Sequence, residues 1–396
     1  MVHLIEKEVE IMKQQSLKKW IYSAVTIVSI GVLAACSSTT SSTTSSSSSG
    51  QVVTASSSSL ASSSSSESTS SIDWSALPTT EVGLTDEGLT ITEGGTYVLT
   101  GSTTGGVTVE TDANVRIILA GATISSSDTA AINVISADNV EIELQDGTEN
   151  TVKDSSTHSD TNIEGAIHVE ADLTITGNGS LTVEGNFQDG IVSTDDMVIN
   201  AGNIKVTAVD DGIRGKDSMT INGGTIAVTA GGDGIKSTND TDTTKGYTSI
   251  AGGTITVAAG DDGIKAEMAL TIDGGDITVS ESLEALEGTN ITINGGTLDV
   301  YGADDAINAA STISTDIFIK VTGGDLKVAV GSGDTDAFDA NGDIYISGGT
   351  IDVTAQSAFD FDGTAELTGG TVTVNGEQIT QITATGPGAG GGRGGW

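Results

Sequence analysis

The sequence predicts an all-β fold, a single-stranded parallel β-helix whose coils are about 22 residues long. The first observation is a glycine corner that recurs with nearly constant spacing between Asn200 and Gly370. Eight corners carry a Gly-Gly or Ala-Gly pair, at residues 201–202, 223–224, 252–253, 274–275, 295–296, 323–324, 348–349 and 369–370. Three of the steps between them are longer than the others, which predicts three insertions. A repeat of this size is typical of solenoids, in which each unit buries its apolar face against its neighbours.

The second observation is the alternation of polar and apolar residues between the corners, as in Thr225–Val228 and Thr254–Val257. A period of two predicts strands with one buried face. Because such strands recur once per coil, they should lie parallel and in register. Seven aliphatic residues fall two positions before their corner and should form one buried stack: Ile221, Ile250, Ile272, Ile293, Val321, Ile346 and Leu367.

The third observation is the composition. Hydrophobic residues make up 36% of the chain but aromatic residues only 3%, which suits a narrow core filled by stacked aliphatic side chains. Glycine supplies the backbone freedom that sharp corners require. Four residues that precede corners should bond to their own and neighbouring backbone groups in the turns: Asn200, Asn222, Asp273 and Asn294.

The N-terminal segment, residues 1–35, is predicted to be a lipoprotein signal peptide. Lysines precede an apolar run over residues 20–32, as in secretory signals. The run ends in Leu33-Ala34-Ala35-Cys36, which resembles a bacterial lipobox. The resemblance implies lipidation of Cys36 and anchoring on the extracellular face of the bacterial cell membrane.

Three further segments are predicted. Residues 36–72 are rich in Ser and Thr and should form a disordered tether, because they cannot bury enough apolar surface to offset the entropy of ordering. Residues 73–385 should form the β-helix, and residues 386–396 a Gly-rich tail. We expect a monomer.

The chain is strongly acidic, with 54 Asp and Glu residues against 15 Lys and Arg and a formal net charge of −39. This excludes nucleic acid as a natural partner, because phosphate binding needs clustered basic residues. Many carboxylates fall in the turn after each second strand, and stacking should bring them one strand spacing, about 4.8 Å, apart. Ten are candidate metal ligands: Asp189, Asp210, Asp211, Asp233, Asp261, Asp262, Asp304, Asp305, Asp336 and Asp339.

Two arrangements would relieve the repulsion in this column. Ca²⁺ takes six to eight oxygen ligands, which carboxylates and carbonyl groups of adjacent coils could supply. Alternatively, Arg214, Lys236 and Lys265 lie three residues after their acidic turns and could form a ladder of salt bridges.

The N-terminal half carries a more specific pattern, Gly95–Gly101, Val115–Gly121, Gly147–Asn150 and Asp172–Ile175. It resembles a bacterial family of carbohydrate-binding β-helix proteins typified by a clostridial cell-surface protein that binds cellulose and polygalacturonate. Ala120 stands where that family is expected to have Asn. The resemblance implies a right-handed parallel β-helix, bound Ca²⁺ and adhesion to plant-type polysaccharide.

A more distant similarity is to polysaccharide lyase family nine, whose calcium site uses an Asp on one coil and an Asp-Asp-Gly-x-Asp run on the next. Asp189, Asp210 and Asp211 match the first three positions, but Arg214 occupies the fourth. Lys236 and Lys265 replace the acid in the following coils. Asp304 and Asp305 with Asp336 and Asp339 come nearer to four carboxylates, although Asp336 lacks an acidic predecessor.

Three functions remain open on the sequence. The leading hypothesis is a non-catalytic surface lipoprotein that binds an acidic or cellulosic polysaccharide with Ca²⁺. The alternatives are a pectate lyase-like β-eliminase, with Lys236 or Lys265 as base, and an adhesin for a protein ligand. Alternation turns several side chains outward where they could contact sugar rings: Tyr247, Tyr301, Phe318, Lys320 and Tyr345. Isolated surface aromatics are also common without any role.

Overall fold

The computed structural model describes residues 72–333 and 335–385, which form a parallel β-helix. The predicted signal peptide, Cys36, the tether up to residue 71 and the tail from residue 386 lie outside the described residues. A short 3₁₀ helix, Trp74–Ala76, precedes the first strand. Within the described ranges, no helix has the length and apolar character needed to cross a membrane.

In the described part of the chain, thirty-four strands follow in chain order. The N-terminal strands are β1 (Thr79–Leu84), β2 (Leu89–Ile91), β3 (Gly95–Thr103), β4 (Val107–Glu110), β5 (Val115–Ser125), β6 (Ile132–Ser136), β7 (Asn139–Leu144), β8 (Glu149–Lys153), β9 (Gly165–Val169), β10 (Asp172–Gly177) and β11 (Ser180–Gly185). The central strands are β12 (Asp189–Ser193), β13 (Asp196–Ile199), β14 (Asn203–Ala208), β15 (Ile213–Gly215), β16 (Ser218–Ile221), β17 (Thr225–Ala230), β18 (Ile235–Ser237), β19 (Tyr247–Ile250), β20 (Thr254–Ala258), β21 (Ile264–Ile272), β22 (Asp276–Glu281) and β23 (Leu286–Ile293). The C-terminal strands are β24 (Thr297–Gly302), β25 (Ile307–Ala309), β26 (Phe318–Val321), β27 (Asp325–Val330), β28 (Asp336–Ala340), β29 (Asp343–Ile346), β30 (Thr350–Thr354), β31 (Ser357–Phe361), β32 (Ala365–Leu367), β33 (Thr371–Val374) and β34 (Glu377–Ile379).

The strands pair coil upon coil into three ladders, which we call sheets A, B and C. Sheet A contains β16, β19, β26 and β29, sheet B contains β17, β20, β24 and β27, and sheet C contains β15, β18, β25 and β28. Strands β21 and β23 run through sheet C into sheet A. The ladders are parallel except for the final pair, in which β33 meets β34 antiparallel. In each coil the chain passes from sheet C to sheet A, turns at the glycine corner into sheet B, and returns through the acidic turn.

The core is the predicted aliphatic stack. Ile221 pairs with Ile250, and the column continues through Ile272, Ile293, Val321, Ile346 and Leu367. All of these are buried except Leu367, which packs against the core from the last coil. Burying one such side chain contributes about 1.5–3 kcal/mol, so regular stacking stabilises the coils without a globular core.

The second glycine of each corner needs glycine for its backbone. At Gly224 and Gly253 φ is 98° and 103°, a left-handed region that other residues rarely adopt. The residues that precede the corners differ from the prediction, because their side chains hydrogen-bond to one another. Asn222 donates to Asn200 and Asn294 donates to Asp273, both at 2.8 Å, and no backbone partner is needed.

The three long steps between glycine corners result from insertions, which fall at two positions of the coil. The loops 238–246 and 310–317 both join sheet C to sheet A, and they precede Tyr247 and Phe318 directly. The third insertion lies between β27 and β28, in an acidic turn that joins sheets B and C. The insertions therefore leave the strand pairing intact and add material only at the corners.

Candidate functional site

The acidic turns between sheets B and C form a continuous feature that we call the acidic ridge. Its inner column contains Asp189, Asp211, Asp233, Asp262, Glu284, Asp305 and Asp336. Along much of this column, the Oδ1 atom of one aspartate accepts the backbone N–H of the aspartate in the next coil. Four such bonds, of 2.7–3.1 Å, join Asp189 to Asp211, Asp211 to Asp233, Asp233 to Asp262, and Asp305 to Asp336. Buried carboxylates are thereby used to satisfy turn amides.

Arg214, Lys236 and Lys265 occupy one column on sheet C beside the ridge. Lys236 Nζ lies 2.6 Å from Asp211 Oδ2 and 2.8 Å from Asp233 Oδ2, so it bridges two coils. Arg214 contacts Asp189 Oδ2 at 2.7 Å and also Glu164, and Lys265 contacts Asp262 Oδ2 at 2.7 Å. The salt-bridge ladder considered from the sequence is therefore present over these coils.

The pKa values of Asp189, Lys236 and Lys265 are all raised, but for different reasons. Burial raises the pKa of Asp189 to about 6 even though Arg214 opposes the shift. Burial alone would lower the pKa of Lys236, but Asp233 and Asp211 outweigh it and hold that pKa above its ordinary range. The pKa of Lys265 is raised in the same way, by Asp262 and Glu287. Both lysines are thus firmly protonated.

The side chains in the column beside the ridge change from basic to mainly acidic after Lys265. Lys265 pairs in register with Glu287, and the column continues through Asn308, Asp339 and Asp360. Among the described residues, no Lys or Arg forms an ion pair with Asp305, Asp339 or Asp360. Consequently the first half of the ridge carries counter-charges that Asp305, Asp339 and Asp360 lack among the described residues.

Three predicted metal ligands come together where this change occurs. Asp233, Asp261 and Asp262 each place one carboxylate oxygen within 4.8 Å of the others. Asp262 is 2% exposed, and its Oδ1 atom accepts no hydrogen bond from any donor in the described part of the chain. A buried unsatisfied oxygen beside two further carboxylates is suited to a hard cation.

Glu284 and Glu287 complete this cluster. Burial, and then hydrogen bonding and repulsion by Asp262, raise the pKa of Glu284 to about 9 and that of Glu287 to about 8. A proton on either glutamate would therefore supply the Asp262 carboxylate with a hydrogen-bond donor. The sequence had aligned Glu284 with the acidic turns, but neither glutamate was among the predicted metal ligands. The signal for Glu287 was its position three residues after the turn, where Lys236 and Lys265 stand in their coils.

The remaining predicted ligands lie elsewhere on the ridge. Asp210, Asp261 and Asp304 form an outer, more exposed column in which Gly232 and Leu283 occupy the intervening coils, as the backbone hydrogen bonds show. This alternation keeps the outer carboxylates about two strand spacings apart, which lowers their repulsion. On the inner side, burial and repulsion from neighbouring carboxylates raise the pKa of Asp305 to about 6 and that of Asp339 to about 7.

A second feature is an open groove on sheet A, which we call the aromatic groove. Phe318, Lys320 and Tyr345 line a cavity of about 490 Å³ together with Asp316, Ser347, Glu366 and Thr368. Lys320 and Tyr345 are register partners on adjacent strands, as alternation had predicted. The Tyr345 hydroxyl donates to Asp343 Oδ2 at 2.7 Å, which fixes the ring. Lys320 is exposed and has no carboxylate within 4.0 Å among the described residues.

The two other predicted aromatic residues lie outside this groove. Tyr301 is on β24 of sheet B, a different face of the coil. Tyr247 is in the same outward column as Phe318, but three coils away, with Ala269 and Asn290 between them. Glu366 is the register partner of Tyr345 on the next coil, so the alternation that placed Lys320 could also have indicated it. Asp316 lies in an insertion, where the repeat gives no register, and the sequence could not have indicated it.

Comparison with known proteins supports the fold and identifies the family. Residues 85–337, more than half of the chain, match the family model described as carbohydrate-binding domain-containing protein. The chain belongs to this family. A carbohydrate-binding domain-containing protein of Acetivibrio thermocellus is 35% identical over 126 residues, or 30% of this chain and 44% of the relative. The chain thus spans less than half the length of that curated relative.

A solved structure is also similar. It is described as a polysaccharide lyase-like protein from C. thermocellum, gadolinium derivative, and it has a TM-score of 0.51 and 33% sequence identity. The alignment covers 53% of this chain and 93% of that one. The carbohydrate-binding family match includes the ridge from Asp189 to Asp336, together with Phe318 and Lys320, whereas Tyr345 lies beyond it. The aromatic groove therefore combines family residues with residues of the C-terminal coils.

Proposed function

We propose that this protein binds polysaccharide without catalysis and that the aromatic groove holds the glycan. The observation that carries the proposal is the convergence of Phe318, Tyr345 and Lys320 in one open groove. Aromatic faces can pack on the apolar faces of sugar rings, and a few placed polar groups then fix orientation. Lys320 can donate to sugar hydroxyls, while Asp316 and Glu366 can accept from them. This set of donors and acceptors fits a neutral glycan better than a polyanion.

The acidic ridge favours binding over elimination. A lysine that removes a proton must be neutral, which requires a lowered pKa. Lys236 and Lys265 have raised pKa values, because each is held by two carboxylates. The residues that the lyase resemblance suggested as bases are thus suited to charge neutralisation.

Replacing Phe318 or Tyr345 with Ala should weaken glycan binding by about tenfold or more, since truncating a central aromatic anchor costs about 2 kcal/mol and 1.4 kcal/mol is tenfold. Retention on insoluble cellulose and on polygalacturonate, followed by titration with soluble fragments, measures the effect. Tyr301→Ala is the matched control, because it removes an exposed aromatic residue from sheet B. If this control loses binding while both groove variants keep it, the groove is not the site.

We also propose that Ca²⁺ binds at Asp233, Asp261 and Asp262, with Glu284 and Glu287 adjacent. The unsatisfied Oδ1 atom of Asp262 supports the fit, as does the number of carboxyl oxygens that the five side chains offer to a hard cation. Bound Ca²⁺ would neutralise the excess charge where the lysine column ends. Its role here is to stabilise the coils, and the glycan lies on another face.

Calcium binding at this cluster should release protons near pH 7.5. The reason is that Glu284 and Glu287, with pKa values of about 9 and 8, are largely protonated before the ion arrives. Calorimetric titration in two buffers of different ionisation enthalpy measures the release. Asp262→Asn should abolish the binding, and Glu284→Gln should keep much of it while reducing proton release.

Asp325→Asn is the control for this experiment, because it removes an exposed carboxylate at the start of β27 on sheet B, away from the cluster. Melting curves without Ca²⁺ establish that each variant is folded. Equal Ca²⁺ affinity in the Asp262 and Asp325 variants would contradict the assignment, as would uptake without any proton release.

A further inference from the structure

Resting on the proposed function, we infer that the aromatic groove is one end of an extended track on sheet A. The track runs parallel to the solenoid axis to a second stacking position at Tyr247. It accommodates a linear neutral polysaccharide across five successive coils.

Two outward columns of sheet A form the floor. One column runs from the groove back towards the N-terminus, and all of its residues except Lys320 carry a hydroxyl group: Tyr345, Lys320, Thr292, Thr271 and Ser249. The adjacent column contains Asp343, Phe318, Asn290, Ala269 and Tyr247. Apart from the two aromatic residues, the second column carries small or medium side chains, so the floor is unobstructed between the rings.

The spacing suits a sugar chain. Tyr247 and Phe318 are separated by three strand spacings, about 14 Å. A pyranose residue in an extended chain is slightly longer than one strand spacing, so each coil would face about one sugar. The hydroxyls of Ser249, Thr271 and Thr292 recur once per coil, so each of these coils offers a hydrogen-bonding group along the track.

The insertions form a wall along one edge of the track. Loops 238–246 and 310–317 arise at the same corner of the coil, immediately before Tyr247 and Phe318. The Tyr247 hydroxyl donates to the Thr243 carbonyl at 3.1 Å, which ties the ring to its loop. With its amide oriented to donate, Asn290 reaches the Asp316 carbonyl at 2.7 Å and ties down the second loop. Side chains held in place before binding lower the entropy cost of association.

The charge of the side chains along the track determines which glycan can bind there. Asp316, Asp343 and Glu366 lie at the groove end with a single lysine, Lys320, and the protein as a whole is strongly acidic. A polyuronate would be repelled along this face, whereas a neutral chain can use the carboxylates as hydrogen-bond acceptors. The track therefore fits an unbranched neutral glycan.

The test uses cello-oligosaccharides of two to six residues as probes for the full chain and its variants. Affinity of the unchanged protein should rise with length, and Tyr247→Ala should lower affinity for the hexamer by about tenfold while leaving that for the dimer unchanged. Phe318→Ala should weaken binding at every length. A second variant, Ala269→Arg, blocks the floor and should reproduce the selective loss without altering an aromatic residue.

The outcomes separate the two proposals. If Phe318→Ala weakens all probes but Tyr247→Ala and Ala269→Arg weaken none, the track is wrong and the groove remains. Equal losses for the dimer and the hexamer in the Tyr247 variant would likewise overturn the track. If no cello-oligosaccharide binds, both the neutral track and the groove's proposed ligand are overturned. Tyr301→Ala on sheet B should match the unchanged protein throughout.

Discussion

Replacing Lys236 with Met should lower the free energy of unfolding by about 3–5 kcal/mol, the cost of leaving buried charge uncompensated. The Lys236 ammonium lies 2.6 Å from Asp211 Oδ2 and 2.8 Å from Asp233 Oδ2, and both carboxylates are buried. Methionine keeps most of the aliphatic stem, so packing is largely preserved. The loss therefore arises from two buried carboxylates on adjacent coils that face each other without a cation.

Chemical denaturation at neutral pH, monitored by circular dichroism, measures this change. Lys327→Met is the matched control, because Lys327 lies 3.7 Å from Asp299 with both side chains mostly exposed. Such surface pairs contribute about 0–1 kcal/mol, so this variant should stay close to the unchanged protein. Similar losses for the two variants would show that burial of the ridge pair does not matter.

Replacing Gly234 with Ala should destabilise the coil stack by about 1–3 kcal/mol, the usual cost of overpacking. A Cβ atom at Gly234 would lie 2.3 Å from Val257 Cγ1 and 2.5 Å from the Gly263 carbonyl oxygen of the next coil. Gly212 has the same contacts, at 2.2 Å with Val228 Cγ1 and 2.5 Å with the Gly234 oxygen. These glycines are required by the close approach of successive turns, and their φ values are ordinary.

Thermal and chemical unfolding of Gly234→Ala and Gly83→Ala compare a crowded glycine with an open one. A Cβ atom at Gly83 would meet no heavy atom within 4 Å. That control should be neutral, or more stable by about 0.4–1 kcal/mol through lower entropy of the unfolded chain. A Gly234 variant as stable as the Gly83 variant would mean that the turns can move apart at little cost.

The sequence predicts some residues of the proposed glycan site and misses others. Alternation alone placed Lys320 beside Tyr345 and Tyr247 in the column of Phe318, because side chains in register must recur on the same face. The lining of the groove was predictable only in part. Glu366 falls three residues before its corner, in the column of Lys320 and Tyr345, whereas Asp316 lies in an insertion that follows no repeat and reaches the groove only in the folded structure.

The sequence by itself determined the β-helix, its coil length, the aliphatic stack and the positions of the three insertions. These follow from a repeat that permits one pairing register, since a slip by one residue would expose every buried side chain. Only the tertiary structure decided how charge is compensated. Lys236 and Lys265 stand in equivalent positions, yet Lys236 bridges to the turn of the previous coil and Lys265 reaches Glu287 of the next. Which carboxylate each lysine contacts depends on the reach of the side chain and on burial between coils. The spacing of residues along the chain does not encode either of these.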